Sequence, residues 1–230
     1  MASARSGDAA LDVTTHNQYS TEGMEATALC ASAMAQFRAW FHEAQAHAQV
    51  PEPEAMTLAT AQVGADGQAR PSSRIVLLKR IEARGLVFFS NYASRKGQEL
   101  HTNPWASLTF YWHAMHRSVR VGGRVERLST AETQTYFDAR PLGSRIGALA
   151  SPQSKPIADR RQLEEAVRAA EAAYGVRGAA GLDGDEAAQR HAHDTAIPAP
   201  AHWGGYRVIP YEMEFWMGRS NRLHDRFRCV

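Results

Sequence analysis

Two segments near opposite ends of the chain place fixed cations beside apolar residues. The first, residues 74–79, reads Arg-Ile-Val-Leu-Leu-Lys, and the second, residues 221–227, reads Asn-Arg-Leu-His-Asp-Arg-Phe. Guanidinium groups bind phosphate oxygens in pairs and also lie flat on π systems. The two segments together therefore suit a ligand that is phosphorylated, planar and aromatic. Taken alone, the second segment is equally compatible with a solvated basic tail.

Two further groups of residues are typical of phosphate sites. Ser94 precedes Arg95 and Lys96, and a capped helix N-terminus with two adjacent cations attracts anions. Tyr136 and Arg140 lie four residues apart on one side of a predicted helix, and Ser144 follows, so these three side chains could converge on a phosphate monoester. The alternatives are an ordinary capped surface helix for the first group and incidental polar groups at a helix end for the second.

Short β-type runs must position these groups. The pattern predicts strands at residues 56–63, 74–79, 86–90, 106–112, 118–126 and 211–216. Asp66-Gly67 is a hairpin-type turn, so the first two strands are expected to pair antiparallel. Strict alternation would send Arg74 and Lys79 to opposite faces of their strand. Strands with helices inserted between them, rather than alternating with them, favour an antiparallel barrel over a doubly wound sheet.

Four helices are predicted around these strands. Residues 34–44 carry one apolar face, residues 94–102 begin at a Ser cap, Ser129 and Glu132 form a capping box for a helix that ends before Pro141, and residues 159–174 are amphipathic. Residues 1 to about 24 have no period and are expected to be mobile. Residues 25–230 are expected to form a single domain, with a flexible insertion at about 176–196.

Composition limits the class of protein. The net charge of +2 argues against general nucleic-acid binding, and 44% hydrophobic residues suffice for a substantial core. No membrane span or secretory signal is evident in the sequence, so a cytoplasmic protein is expected. Cys30 and Cys229 are expected to remain thiols. The histidines show no convincing set of ligands, and we predict no metal site.

With the motifs above, residues from about 54 to 227 resemble the pyridoxamine 5′-phosphate oxidase family. The resemblance implies a mainly β (α+β) fold, an antiparallel split β-barrel with flanking helices that binds FMN at the interface of a homodimer. It also implies oxidation of pyridoxamine 5′-phosphate or pyridoxine 5′-phosphate to pyridoxal 5′-phosphate, with O2 as acceptor and H2O2 as product. The flavin performs the hydride chemistry in such an enzyme, and the protein supplies orientation and charge.

The resemblance also assigns residues. The phosphate of the substrate would be bound by Lys79, Tyr136, Arg140 and Ser144. Arg222 and His224 would be the catalytic pair, with the guanidinium covering the pyridine ring and the imidazole bonding its phenolic oxygen, and neither acting as a nucleophile. The flavin would be contacted by Arg74, Ile75, Val76, Leu77, Leu78, Lys79, Phe89, Ser90, Arg95, Lys96, Ser118, Gln153, Ser154, Trp216 and Arg226.

The sequence departs from the family pattern at two flavin positions. Ser118 stands where the family usually has Gln, which could remove one hydrogen bond to the flavin or route it through water. Phe89 stands where Tyr is common and lacks its hydroxyl. These departures leave open a non-catalytic split-barrel protein that binds flavin or pyridoxal phosphate. A split-barrel flavin reductase that uses a nicotinamide donor is a further alternative, and the matching substrate residues argue against it.

Overall fold

The computed structural model describes residues 18–176 and 196–230. Within these ranges lie five helices: α1 (Ala33–Ala46), α2 (Arg95–Thr102), α3 (Thr130–Asp138), α4 (Leu142–Ala150) and α5 (Arg160–Ala173). The same ranges contain eight strands: β1 (Ala55–Val63), β2 (Ala69–Leu77), β3 (Arg80–Ile81), β4 (Leu86–Asn91), β5 (Trp105–Trp112), β6 (Arg117–Arg127), β7 (Trp203–Met217) and β8 (Asp225–Cys229). None of the described helices is long and apolar enough to cross a bilayer.

The eight strands form one antiparallel sheet in the order β2-β1-β5-β6-β7-β4-β3, and β8 pairs with β7 beside this path. The turn at Asp66-Gly67 joins β1 to β2 in continuous register from Ala55↔Leu77 to Val63↔Ala69. β2 also contacts β4, so the sheet curls back towards itself. The predicted class, a mainly β split barrel with flanking helices, is confirmed.

The main core includes the side chains that α1 packs against the sheet. Phe37 is fully buried, and its ring centroid lies 5.0 Å from that of Phe110 on β5. Trp40 meets Phe215 of β7 edge to face at 5.5 Å. Each such aromatic side chain stabilises the fold by about 1.5 to 3 kcal/mol when fully buried. The three- and four-residue spacing of apolar residues in α1 is thereby explained.

A second, smaller core fixes the helices beside the cavity described below. Phe137 of α3 and Ile146 of α4 are almost completely buried, together with Trp203 at the start of β7. The predicted capping box starts α3, with Ser129 Oγ accepting from the Glu132 amide and Glu132 accepting from the Ser129 amide. Helix α3 is therefore held both at its first turn and along its buried face.

Several boundaries differ from the sequence-based prediction. β2 begins at Ala69 and contains Pro71, which is tolerated because β2 is the last strand of the sheet. β7 begins at Trp203, where closely packed glycines conceal the strand pattern. Helix α4 and strand β8 were not predicted, since Pro141 was interpreted only as a stop and residues 225–229 carry alternating charges.

Most of the two segments expected to be mobile, residues 1–17 and 177–195, lie outside the described residues. The rest of the N-terminal segment, residues 18–24, contacts the C-terminal end of the chain. Thr21 Oγ1 donates to the Gly218 carbonyl at 2.6 Å, and the Met24 amide donates to Asp225 Oδ2 at 2.8 Å. Residues 18–24 are thus bound to the residue that follows β7 and to the first residue of β8.

Candidate functional site

A cavity of about 280 Å³ opens where β2, β4, α2 and α3 meet. Cations and aromatic rings dominate its wall, which is lined by Arg74, Ile75, Val76, Leu77, Lys79, Phe89, Ser90, Lys96, Tyr136, Arg140, Gln153 and Trp203. Eleven of these twelve residues belong to the predicted flavin or phosphate sets, and the exception is Trp203. The fold therefore gathers residues that are more than 120 positions apart in the sequence.

The first wall of the cavity is the N-terminal turn of α2. Ser94 is fully buried and caps the helix by accepting from the Gly97 amide at 3.3 Å. A Cβ on Gly97 would lie 2.2 Å from the Tyr92 carbonyl oxygen, so only glycine permits this close approach. Lys96 is buried beside this turn, and burial lowers its pKa, an effect to which the nearby Arg74 charge adds. The helix start thus presents a desolvated cation to the cavity.

Glu99, one turn further along α2, organises the neighbouring cations. Its carboxylate is almost completely buried and accepts from Thr60 Oγ1 at 2.5 Å and from Ser72 Oγ at 2.7 Å. It also accepts from Arg74 Nη2 at 3.2 Å and from Arg95 Nε at 2.9 Å. Burial raises the pKa of Glu99, but these hydrogen bonds outweigh it and bring the pKa to about 2. Glu99 therefore stays ionised and fixes both guanidinium groups.

Gln153 closes the cavity next to Lys96. Its Oε1 lies 3.2 Å from Ser90 Oγ and 3.2 Å from Lys96 Nζ. Ser154 follows with a left-handed backbone, at φ 67°, and is exposed outside the cavity lining. Of these two neighbouring residues, only Gln153 lines the cavity.

The opposite wall is an aromatic stack that carries Arg140. The ring of Phe89 stacks on Tyr136 at 3.7 Å and on Trp203 at 5.4 Å. The guanidinium carbon of Arg140 lies 4.7 Å from the centroid of the Trp203 ring. Arg140 Nη1 is buried without a hydrogen-bond partner among the described residues. A buried guanidinium with an unused donor beside a cavity is an arrangement suited to an anion.

The protonation states of Tyr136 and Arg140 follow from their burial and from neighbouring charges. Burial raises the pKa of Tyr136, although the neighbouring charges of Arg140 and Arg80 oppose this shift. Burial lowers the pKa of Arg140, and the charge of Arg145 acts in the same direction. A guanidinium nevertheless stays protonated in proteins. The wall therefore offers a neutral hydroxyl donor and a fixed positive charge at neutral pH.

The predicted residues of the late part of the chain form a separate cluster. Ser118 on β6 pairs with Trp216 on β7, and Trp216 pairs in turn with Arg226 on β8. The His224 ring lies 4.7 Å from that of Trp216. Tyr19 meets both rings edge to face, at 5.7 Å from Trp216 and 5.4 Å from His224. None of these residues lines the 280 Å³ cavity.

A tight turn presents Arg222 and His224 from this cluster. Asn221 and Arg222 both have left-handed backbones, at φ 57° and 62°. Residues other than glycine rarely adopt this conformation. His224 Nδ1 accepts from the Arg219 amide at 3.0 Å. The neutral imidazole therefore carries its proton on Nε2, which leaves an N–H donor for an outside acceptor.

The remaining predicted residues lie around the cavity rather than in its wall. Leu78 is buried in the main core, so only its backbone could serve a ligand. Ser144 lies in the first turns of α4, and Arg95 is turned towards Glu99. Arg74 and Lys79 line the same cavity, which corrects the expectation of opposite faces. The physical reason is that β2 ends at Leu77, so strict alternation does not extend to Lys79.

Sequence reasoning missed three residues at these sites. Trp203 completes the aromatic stack, Glu99 holds the cations, and Tyr19 covers the Trp216 cluster. The Glu99 carboxylate four residues after Arg95 was a signal that could have been found, because that spacing pairs charges on one helix face. The contacts of Tyr19 and Trp203 join distant parts of the chain and have no local signal.

Comparisons with known proteins agree with this geometry. Residues 42–174 match the sequence model of the family described as pyridoxamine 5′-phosphate oxidase. Residues 203–230 match one described as the pyridoxine 5′-phosphate oxidase C-terminal dimerisation region. The pyridoxine/pyridoxamine 5′-phosphate oxidase of Bordetella avium is 53% identical over 84% of this chain and 80% of that protein. The protein of the same name from Herminiimonas arsenicoxydans is 47% identical over 90% of this chain and 87% of that protein.

Solved structures show the same architecture. PhzG from Burkholderia lata, in complex with tetrahydrophenazine-1-carboxylic acid, has a TM-score of 0.75 and 30% identity, covering 92% of this chain and 93% of that one. An FMN-binding protein from Nostoc punctiforme, related to pyridoxamine 5′-phosphate oxidase, has a TM-score of 0.56 at 13% identity, covering 88% of this chain and 98% of that one. The second similarity concerns the fold alone.

Proposed function

The chain belongs to the pyridoxamine 5′-phosphate oxidase family, and on that premise we propose that it oxidises pyridoxamine 5′-phosphate or pyridoxine 5′-phosphate to pyridoxal 5′-phosphate. FMN is the proposed cofactor, and O2 is the proposed acceptor, with H2O2 as product. When bound, FMN would supply the hydride acceptor for the substrate carbon attached to nitrogen or oxygen. The protein's own residues would bind, orient and hold protons.

The observation that carries this proposal is the cationic cavity with an unused buried donor on Arg140. Arg74, Lys96 and the α2 N-terminus fit one phosphate group, and Lys79, Tyr136 and Arg140 fit another. Phosphate monoesters are bound by such charge-assisted donors. Two phosphate sites separated by the Phe89 stack suit a phosphorylated cofactor beside a phosphorylated substrate.

Each residue then has a role that follows from its contacts. Lys79 and Arg140 would neutralise the phosphate of the substrate, and the Tyr136 hydroxyl would donate to it, with Ser144 at the start of α4 in reach of the same group. Arg222 would cover the substrate ring. His224 would donate from Nε2 to the phenolic oxygen, since its Nδ1 is already occupied by the Arg219 amide. Ser118 and Trp216 would contact the flavin from adjacent strands.

A homodimer would complete the site. The early residues line one cavity, and the late residues cluster around Trp216 outside it, so each chain carries two half-sites. The match of residues 203–230 to a dimerisation region supports this arrangement. In a symmetric dimer, the late cluster of one subunit would face the early cavity of its partner.

Two measurements test the proposal. The purified protein should show the visible absorbance of flavin, released as FMN on denaturation, and should produce peroxide and pyridoxal 5′-phosphate from pyridoxamine 5′-phosphate. Unphosphorylated pyridoxamine is the matched control substrate. Flavin binding without turnover would favour a non-catalytic binding protein. Flavin reduction by a nicotinamide donor alone would favour a reductase. A colourless protein that takes up no added FMN would contradict both the oxidase and the reductase.

A further inference from the structure

Arg207 on β7 binds three carboxylates that come from three different parts of the fold. Its Nε donates to Glu82 at 2.7 Å, its Nη1 donates to Glu126 at 2.6 Å, and its Nη2 donates to Glu132 at 2.9 Å. The residue is 8% exposed. Because a guanidinium presents its donors in a rigid planar fork, the three partners are held in a fixed relative geometry.

Two of these carboxylates are connected to the proposed phosphate clamp, which is the set of Lys79, Tyr136 and Arg140 that would bind the phosphate of the substrate. Glu132 and Tyr136 lie four residues apart on one side of α3, and Arg140 follows just after the helix ends; Tyr136 and Arg140 both line the cavity. One Glu132 oxygen completes the capping box, while the other binds Arg207. The ion pair therefore fixes the start of α3 to the sheet.

The other wall of the clamp is tied to the same guanidinium. Glu82 lies three residues after Lys79, which lines the cavity, and Glu82 Oε1 lies 3.4 Å from Arg80 Nε. Its second oxygen binds Arg207. Lys79 and Arg140 thus stand on two segments that are both connected to Arg207.

We propose that Arg207 is a positioning residue that sets the separation between Lys79 on one wall of the clamp and Tyr136 with Arg140 on the other. This inference rests on the proposed function, because it assumes that the clamp binds the phosphate of the substrate. Arg207 itself lies outside the cavity wall and acts through Glu82 and Glu132. A displacement of about 1 Å at a binding group is sufficient to weaken catalysis severely.

The primary test is Arg207→Lys, which keeps the charge but cannot bind three carboxylates in one plane. Glu132→Gln is a second variant, because glutamine still supports a capping box but removes the charge that binds Arg207. The matched control is Arg120→Lys. Arg120 lies on β6 of the same sheet and binds Glu212 at 2.7 Å and Glu214 at 3.3 Å, and neither partner belongs to an element of the clamp.

Three readouts separate positioning from general stability. KM for pyridoxamine 5′-phosphate should rise about tenfold in both test variants, with kcat within about twofold and FMN affinity unchanged. The preference for phosphorylated over unphosphorylated substrate should fall by a similar factor. Amide hydrogen exchange in α3 should accelerate in the test variants and not in Arg120→Lys. The double variant should be no worse than the stronger single variant.

The inference is overturned if Arg207→Lys lowers thermal stability as much as Arg120→Lys does but keeps the wild-type KM and phosphate preference. Titration of the wild type and both test variants with pyridoxal 5′-phosphate measures binding to the clamp without turnover, and so separates the role of Arg207 from the proposed function. A wild-type protein that binds this ligand but oxidises no substrate would disprove the proposed function. Weaker binding in both test variants would still support the role of Arg207. A wild-type protein that does not bind pyridoxal 5′-phosphate would overturn the clamp and this inference together.

Discussion

Phe89 and Tyr136 stack with their ring centroids 3.7 Å apart and their planes 15° from parallel. Phe89 belongs to the residues assigned to the flavin, and Tyr136 belongs to those assigned to the phosphate of the substrate. The stack therefore joins the two halves of the proposed site through one rigid contact. Offset aromatic pairs of this kind contribute about 0.5 to 1.5 kcal/mol beyond the area they bury.

The stack allows the hydroxyl of Tyr136 to be tested separately from its ring. Tyr136→Phe keeps the aromatic contact and removes only the donor, so kcat/KM for pyridoxamine 5′-phosphate should fall roughly ten- to hundredfold, as expected for a lost hydrogen bond to a charged group. Thermal stability should be unchanged. Steady-state kinetics and a thermal melt check both parts.

The control for this experiment is Tyr174→Phe. Tyr174 packs against the same small core but is not part of the cavity wall. Its hydroxyl should be dispensable for turnover. Equal kinetics in both variants would mean that the Tyr136 hydroxyl does not reach the phosphate.

Arg222→Ala and His224→Ala should slow oxidation of the substrate and leave the flavin bound. The reason is that both side chains come from the turn before β8 and are assigned to the ring of the substrate and not to the flavin. Anaerobic stopped-flow reduction of the bound flavin measures the chemical step directly. The control is Arg228→Ala, which should be reduced at the wild-type rate, because Arg228 is an exposed residue of β8 that binds Glu212. Loss of flavin from either test variant would show that its assigned role is wrong.

Local patterns predicted most of the elements of this fold. The apolar spacing in α1, the Ser129 and Glu132 capping box and the turn at Asp66-Gly67 are all readable within a few residues. Each of these signals has a local physical cause, which is side-chain periodicity, an unsatisfied helix terminus or a positive φ at glycine. The sheet class followed from the number and spacing of the strands.

Local sequence patterns could not predict the contacts that organise the site, because these contacts join residues far apart in the sequence. Glu99 accepts from Thr60 and Ser72, which lie 39 and 27 residues earlier, and Arg207 binds Glu82, which lies 125 residues earlier. Such pairs depend on strand order, which periodicity does not encode. Helix α4 was missed for a different reason. Pro141 ends one helix and also stands at the N-terminal boundary of the next, where proline is favourable.

Glu99→Gln should lower stability in a pH-dependent way. The pKa of Glu99 is depressed from 4.5 to about 2 in the folded state. Its stabilising contribution is therefore fully present above pH 4.5 and is lost as the pH falls towards 2. A shift of this size corresponds to at most about 3 kcal/mol at neutral pH. The variant should be destabilised at pH 7 and should approach the wild type as the pH falls below 4.

Urea unfolding at a series of pH values measures this difference. Glu43→Gln is the control, because Glu43 pairs with Arg117 at an exposed position, and such pairs contribute about 0 to 1 kcal/mol. A destabilisation by Glu99→Gln that is the same at pH 7 and pH 3 would contradict the ion-pair explanation. It would indicate instead that the substitution acts through packing.

The separation of the early cavity from the late cluster leads to a test with mixed dimers. Arg140 lines the cavity, and His224 lies in the cluster around Trp216. If each site combines the early half of one subunit with the late half of its partner, Arg140→Ala and His224→Ala homodimers each contain two damaged sites. A heterodimer of the two variants would contain one doubly damaged site and one intact site. Symmetry therefore predicts recovery of about half of the wild-type activity.

Co-expression of the two variants with different affinity tags, followed by two-step purification, gives the heterodimer. The flavin content of each preparation serves as the control for folding, because neither substitution is expected to release the cofactor. A re-mixed sample of the two homodimers, assayed before subunits exchange, should remain as inactive as its components. A folded, flavin-loaded heterodimer without recovered activity would mean that each chain builds its site alone, since only a site shared between subunits lets two damaged chains complement each other.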